Sequence, residues 1–239
     1  TSVTIHKLLD ADLVLISPRS KSSISMSGFP KRRLIQTLAL EEVEKTAPVN
    51  LTYLLWRNPE NLKTRSILTL GFNPSDSLLI DDDFSRKADK LKNPGRVLFD
   101  KLSRPEFGPI EDWFLSDKKV ETEVAGKRVL VEELVELGPS FGADGNLITS
   151  RETFLRLFPA NPKGSIEIGL VKLRSGSNPI LISEILNKSL PNDVRVLTKD
   201  QFIEFEKNYW KNSTAIGFIF SLGALMGFVV GCVVVYQIL

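Results

Sequence analysis

One stretch at the C-terminal end limits what this chain can fold into more than any other feature. Residues 215–239 contain no charged side chain, and as a helix these 25 residues would be roughly 37 Å long. That length exceeds the roughly 30 Å of a bilayer's hydrocarbon core, whereas buried helices of soluble proteins seldom exceed about a dozen uninterrupted apolar residues. The sequence therefore predicts a transmembrane helix over residues 212–239.

Amphipathic side chains stand at both ends of this stretch. Tyr and Trp collect at membrane interfaces, and Lys can extend its ammonium group to the headgroups. Five residues are therefore predicted to be interface anchors, namely Lys207, Tyr209, Trp210, Lys211 and Tyr236.

Three glycines recur every four residues in the same stretch, at Gly223, Gly227 and Gly231. This spacing places them on one helix face. Small residues on one face let helix backbones approach closely in lipid, where apolar side chains give little drive for association. The pattern predicts a helix-packing face, although glycine is also common in transmembrane helices in general.

The remaining composition excludes several classes of function. Lys and Arg number 31 against 29 Asp and Glu, so a net charge of +2 argues against nucleic acid as a partner. The single histidine, His6, and the single cysteine, Cys232, cannot build a catalytic triad or a histidine-rich metal site. Gly126-Lys127 lacks the leading glycine and the Ser or Thr of a phosphate-binding loop. We therefore expect no catalytic residue, no cofactor and no metal.

Three polar or turn-rich stretches leave alternatives open. The aspartates at residues 81–83 lack calcium-loop spacing and favour a solvated turn over a cation site. The run Lys31-Arg32-Arg33 favours a solvated helix face, with binding of anionic headgroups as the alternative. Residues 137–146 predict a shaped loop, in which Phe141 is either a core residue or an exposed contact.

The periodicity before the apolar stretch predicts a mixed α+β fold. Strands are expected at residues 12–17, 49–56, 66–72, 166–173 and 194–197, with helices at 30–44, 151–158, 179–190 and from 198 onward. A hairpin is expected within residues 120–137. We predict a split β-α-β (porter-like) subdomain from residues 1–72 and 163–211, interrupted by a smaller strand-rich subdomain over residues 73–162.

Several strings in the sequence are specific as a set. They are DADLVLIS at 10–17, SGFPKRR at 27–33, RPEFGPI at 104–110, ELGPSFGADGN at 136–146 and NSTAIGFIFSLG at 212–223. Together they resemble the DevC family of cyanobacterial ABC-exporter permease subunits, which belong to the wider MacB/FtsX-like permeases.

The resemblance implies that the chain is the periplasmic domain of an inner-membrane permease plus its second transmembrane helix. It implies a separate ABC ATPase subunit, a membrane-fusion adaptor, a TolC-like outer-membrane channel and a homodimer surrounded by membrane lipid. Export of a lipid or glycolipid-like substrate is implied as well. The alternative is a membrane-anchored extracytoplasmic ligand-binding or sensor module. A tethered enzyme has no set of residues to support it.

Overall fold

The computed structural model describes residues 10–22, 24–76, 82–139, 142–162, 164–212 and 215–238, with side chains in the last helix described over residues 222–237. The strands are β1 (Leu13–Ile16), β2 (Phe29–Pro30), β3 (Val43–Arg57), β4 (Thr64–Phe72), β5 (Arg96–Asp100), β6 (Glu121–Val124), β7 (Lys127–Val135), β8 (Asn146–Ser150), β9 (Ser165–Ile166), β10 (Ile168–Leu173) and β11 (Arg195–Thr198). The α-helices are α1 (Arg32–Gln36), α2 (Asp82–Asp89), α3 (Ile110–Leu115), α4 (Arg151–Leu157), α5 (Pro179–Ser189), α6 (Lys199–Asn212) and α7 (Ala215–Ile238).

Four strands form the first half of the main sheet, in the order β11-β1-β10-β3. Every neighbouring pair among them is antiparallel. Consequently β1 runs parallel to β3, and the segment between them contains α1, while α5 connects the parallel strands β10 and β11. These are two interleaved split β-α-β units. The predicted α+β class and the split β-α-β arrangement are therefore found.

Both faces of this half-sheet are covered, which explains why β1 is a continuous apolar run. Successive strand residues point to opposite faces. Leu15 lies in the cluster that contains Leu34 of α1 and Leu186 of α5. Its neighbour Ile16 lies in the cluster that contains Phe202 of α6. Helices thus pack on both sides of the sheet.

The long strand β3 belongs to both halves of the sheet. Its first part pairs with β10 as far as Val49, and its second part pairs with β4 from Asn50 onward. The second half continues in the order β3-β4-β8-β5-β7-β6. A pairing between Trp56 and Val124 then joins β6 back to β3. The second half is therefore a small, closed sheet that encloses its own apolar cluster.

Trp56 occupies the centre of that enclosed cluster. Its side chain is fully buried and its ring centroid lies 5.1 Å from that of Phe99. Its indole Nε1 donates a hydrogen bond of 3.0 Å to the carbonyl oxygen of Phe107. Because a buried indole N–H needs a partner, this bond lets a large aromatic side chain lie inside the closed sheet.

Local sequence signals are confirmed where the chain turns. Strands β6 and β7 form the predicted hairpin, with positive φ at Ala125 (50°) and Gly126 (72°), as a two-residue type I′ turn requires. Ser150 caps α4 by accepting a hydrogen bond from the backbone N–H of Thr153. Thr198 and Gln201 exchange hydrogen bonds at the start of α6, as in a capping box.

The first helix is shorter than predicted. Residues 30–44 were expected to be helical, but α1 ends at Gln36 and a single 3₁₀ turn continues it to Ala39. Strand β3 already begins at Val43 because it pairs there with Leu173 of β10. Tertiary pairing therefore overrides the helical periodicity of residues 40–44.

The division into subdomains over residues 1–72 plus 163–211 and over 73–162 stays a prediction. Two pairings bear on it. Strand β4, within residues 1–72, pairs in parallel with β8, within residues 73–162. Strand β3 takes part in both halves of the sheet.

The C-terminal helix α7 contains 24 residues. Among the residues that the structure describes with their side chains, no helix is both long and apolar enough to cross a membrane.

Candidate functional site

The three predicted packing glycines all lie in α7. A Cβ atom added at Gly223, Gly227 or Gly231 would meet no described atom within 4 Å. Large apolar side chains of the same helix are exposed, including Leu225 at 58% and Phe228 at 71%. The packing role of the glycines stays a prediction.

The predicted interface anchors lie in α6 and α7. Lys207 is exposed, Tyr209 is half-buried and Tyr236 is 85% exposed. Trp210 and Lys211 belong to α6, but their side chains lie outside the described residues. Their role at a membrane interface stays a prediction.

A buried polar network lies where β3 passes from one half-sheet to the other. The carboxylate Oε2 of Glu167 accepts hydrogen bonds from Asn50 Nδ2 (2.9 Å) and from the backbone N–H of Leu51 (3.0 Å). Asn50 Oδ1 accepts a third bond, of 3.1 Å, from Arg151 Nε at the start of α4. Asn50 therefore connects the loop before β10 to the first helical residue of the other half.

Burial raises the pKa of the Glu167 carboxyl above its usual value, although the hydrogen bonds from Asn50 and Leu51 and the charge of Arg151 oppose this shift. Removing a carboxylate from water disfavours its charged form. Burial therefore makes ionisation of the Glu167 carboxyl group less favourable than it is in water.

A groove of about 700 Å³ opens beside this network. One wall comes from the first half and includes Lys31 and Ile35, and the other comes from the second half and includes Arg151 and Leu155. We call Lys31 and Arg151 the cationic pair. The apolar lining residues come from both halves, and we call Leu34, Ile35, Pro48 and Leu155 together the apolar wall.

Asp76 lies in the same groove and is incompletely paired. Its Oδ1 accepts a hydrogen bond of 3.0 Å from Asn73 Nδ2. Its Oδ2 is inaccessible to solvent and has no hydrogen-bond partner among the described residues. Burial raises the pKa of the Asp76 carboxyl, while the bond from Asn73 and the charges of Lys31 and Arg151 lower it. The groove is therefore bordered by a carboxylate that accepts one hydrogen bond at Oδ1 and whose other oxygen, Oδ2, is unpaired and closed to solvent.

The other candidates from the sequence have local partners or lie outside the described residues. Asp83 forms ion pairs of 2.9 Å with both Arg86 and Lys87. Within the described residues no cluster of three acidic, His or Cys side chains could hold a metal ion. Arg33 forms a forked ion pair with Asp193, with Nη2 to Oδ2 at 2.8 Å. Phe141 lies outside the described residues.

Sequence reasoning missed the groove and the buried network. Their residues are distant in the sequence, for example Lys31 and Arg151, so no spacing rule joins them. The run at residues 31–33 is the one sequence signal that points toward the groove, because binding of anionic headgroups is its alternative interpretation. Of its three cations, Lys31 lines the groove.

Several solved structures are similar to this chain. The periplasmic region of MacB from Actinobacillus actinomycetemcomitans aligns with a TM-score of 0.52 at 14% identity, covering 85% of this chain and 96% of that region. The extracellular domain of the noncanonic ABC-type transporter YknZ from Gram-positive bacteria aligns with a TM-score of 0.49 at 12% identity, covering 78% of this chain and 98% of that domain. No family model and no curated protein matches the sequence. The chain therefore has the fold of the MacB periplasmic region.

Proposed function

We propose that this chain is the extracytoplasmic domain of a permease subunit of an ABC exporter. One observation carries the proposal. The fold aligns with the periplasmic region of MacB over 85% of this chain and 96% of that region, with a TM-score of 0.52. The sequence strings that resemble the DevC family and the wider MacB/FtsX-like permeases support the same assignment.

The proposal places α7 in the inner membrane and the rest of the described chain in the periplasm. Residues 215–239 carry no charge, and the described side chains of α7 are exposed along its length. Exposed apolar side chains on all sides of a helix are unfavourable in water but favourable in lipid. The two subdomains of the periplasmic part share strand β3, which offers a direct mechanical connection between them.

The proposed partners follow from the same assignment. A separate ABC ATPase subunit would supply the energy, and this domain would relay the resulting motion to a membrane-fusion adaptor and a TolC-like outer-membrane channel. The functional unit would be a homodimer, and the exported molecule a lipid or a glycolipid-like compound. Gly126 lies in the β6–β7 hairpin turn and Lys127 begins β7, so this pair of residues does not open the helix that follows a phosphate-binding loop.

The test uses the full-length subunit expressed with the genes that flank it. We expect an ABC ATPase and an adaptor to co-purify with it. We also expect ATP with vanadate to change the distance between spin labels placed at exposed positions in the two halves, for example Lys188 and Glu121. A subunit that binds no ATPase, and whose label distance ignores nucleotide, would contradict the proposal.

The second candidate is a membrane-anchored ligand-binding or sensor module. The groove of about 700 Å³ between the halves favours it, because ligand pockets usually enclose about 300–1,000 Å³. Identifying the segments that adjoin this chain in its gene separates the two candidates. Further transmembrane helices favour the permease, and a cytoplasmic signalling domain favours the sensor.

A further inference from the structure

We propose that the groove between the two halves binds a zwitterionic amphiphile of the phosphoethanolamine lysolipid type. Its phosphate would lie at the cationic pair, its ammonium group would donate to Asp76, and its acyl chain would lie on the apolar wall. The site does not depend on the transport assignment, since a permease and a sensor could both carry it.

The carboxylate of Asp76 is incompletely paired. Asp76 Oδ2 is shielded from solvent and receives no hydrogen bond from the described residues. A buried acceptor without a donor costs about 1–3 kcal/mol. Because Oδ2 is closed to solvent, a ligand N–H would reach the carboxylate at Oδ1, which accepts one exposed bond from Asn73, and an ammonium group there would also neutralise the negative charge. A purely anionic ligand would instead be repelled by Asp76.

Two cationic side chains act on Asp76. Lys31 and Arg151 both line the groove and both act electrostatically on Asp76. They lie on opposite walls, one next to α1 and one at the start of α4. Among the described residues the ammonium group of Lys31 forms no ion pair, and Arg151 donates a hydrogen bond through its Nε to Asn50. Donors therefore remain for the oxygens of a phosphate.

The apolar wall offers a surface for an alkyl chain. Ile35 borders the groove and is 54% exposed, and Leu155 lines the groove from the other half. Exposed apolar surface next to a polar recess suits a ligand that has both characters. An alkyl chain on this wall would remove Ile35 from water, which favours binding by about 25 cal/mol for each Å² that is buried.

The experiment uses the full chain in lipid nanodiscs and two photoactivatable lysolipids. Both carry the same diazirine-bearing acyl chain, and one has an ethanolamine headgroup whereas the other has choline. Choline has no N–H to donate to Asp76. Crosslinks are mapped by mass spectrometry, and empty nanodiscs measure the background from partitioning. We expect the ethanolamine probe to label peptides that contain Ile35 and Leu155 more strongly than the choline probe does.

Variants assign the contacts. Lys31→Gln and Asp76→Asn should each lower labelling of these peptides by about tenfold, as expected for loss of a charge-assisted hydrogen bond. Asp76→Asn should also abolish the preference for ethanolamine. Lys188→Gln, at an exposed position on α5, serves as the matched control and should leave labelling unchanged. Lys31→Arg should retain binding, which separates loss of charge from misfolding.

Several outcomes would overturn the proposal. Crosslinks confined to α7, equal labelling by the two probes, or labelling that both variants leave unchanged would each do so. Free phosphoethanolamine should compete far less well than the unlabelled lysolipid. Equal competition would mean that the apolar wall takes no part and that a soluble metabolite is the ligand. None of these results depends on an ATPase or an adaptor, so they leave the proposed transport function untouched.

Discussion

At the scale of single residues, Asn50 and Glu167 form a buried network at the point where the two halves of the molecule meet. Asn50 is fully buried and uses its amide on three partners, namely Glu167, the carbonyl oxygen of Ser165 and Arg151. Fully satisfied buried polar groups specify one arrangement of the surrounding backbone, whereas partial loss is expensive. The network therefore fixes how β3 turns from one half-sheet into the other.

The raised pKa of Glu167 leads to a prediction about stability and pH. An acid whose pKa is higher in the folded state contributes its full share of stability below its unfolded pKa. It loses that share as the pH rises through the folded value. Glu167→Gln keeps an acceptor for Asn50 and Leu51 but cannot ionise. We therefore expect this variant to gain stability relative to the wild type between pH 4 and pH 8.

Thermal unfolding of the full chain in detergent, followed by tryptophan fluorescence, measures this difference. Glu167→Ala removes the acceptor as well and should lose about 1–3 kcal/mol at every pH. Glu184→Gln, at an exposed position in the middle of α5, is the control and should behave like the wild type. A stability difference between Glu167→Gln and the wild type that is the same at pH 4 and at pH 8 would show that ionisation of Glu167 has no bearing on stability.

At the scale of elements, α7 carries the most direct prediction from the sequence. Replacing Gly227 with Leu adds a branched side chain where two helix backbones would meet, and lipid offers no compensating hydrophobic gain. We expect Gly227→Leu to insert normally but to reduce assembly of the full-length subunit with its partner helices. Co-purification reports assembly, and protease protection reports insertion.

The matched control for this prediction is Leu225→Ile, which leaves the glycine face unchanged. Leu225 is 58% exposed on the same helix. Normal assembly and export by Gly227→Leu would mean that the glycines reflect only the general composition of membrane helices.

Sequence reasoning located the elements that have strong local signals. Strand β1, the β6–β7 hairpin and helices α4 and α5 follow from apolar runs, turn residues and caps, which act within a few residues. Helix α2 was missed because its charged sequence buries few apolar side chains, notably Phe84 and Ala88, four positions apart. Strand β5 was missed because its apolar run covers only residues 97–99 and its partners, β7 and β8, are distant in the sequence.

Long-range pairing explains what local signals could not supply. The helix predicted over residues 30–44 ended early because β10 pairs with residues that begin at Val43. The full length of β3, 15 residues, depends on two different partners, β10 and β4. The groove likewise combines side chains from both halves. Such features arise from contacts between distant residues, which periodicity does not report.

At the scale of the whole molecule, we expect the adaptor to bind loops of the second half. Loops on a rigid framework commonly carry partner contacts. Leu102 and Leu115 lie in this half, within residues 73–162, and are 50% and 73% exposed. Changing both to Asp should abolish adaptor capture by the full-length subunit while leaving membrane insertion intact, because a charge opposes burial in an interface.

Adaptor pull-down from co-expressing cells measures capture. The control is Ile180→Asp on α5, a residue of the first half that is 59% exposed. Loss of capture with the control and not with the double variant would move the docking surface to the first half.

The position at which the second half is inserted has an evolutionary consequence. The chain leaves the first half after Val49 and returns at Glu167, whose backbone N–H donates a 3.2 Å hydrogen bond to the carbonyl oxygen of Val49. The two ends of the insertion are thus neighbours in space. A different module could replace residues 51–162 without displacing any strand of the β11-β1-β10-β3 sheet, provided that Asn50, β9 and Glu167 remain. The first half could therefore carry different inserted modules, each suited to another partner.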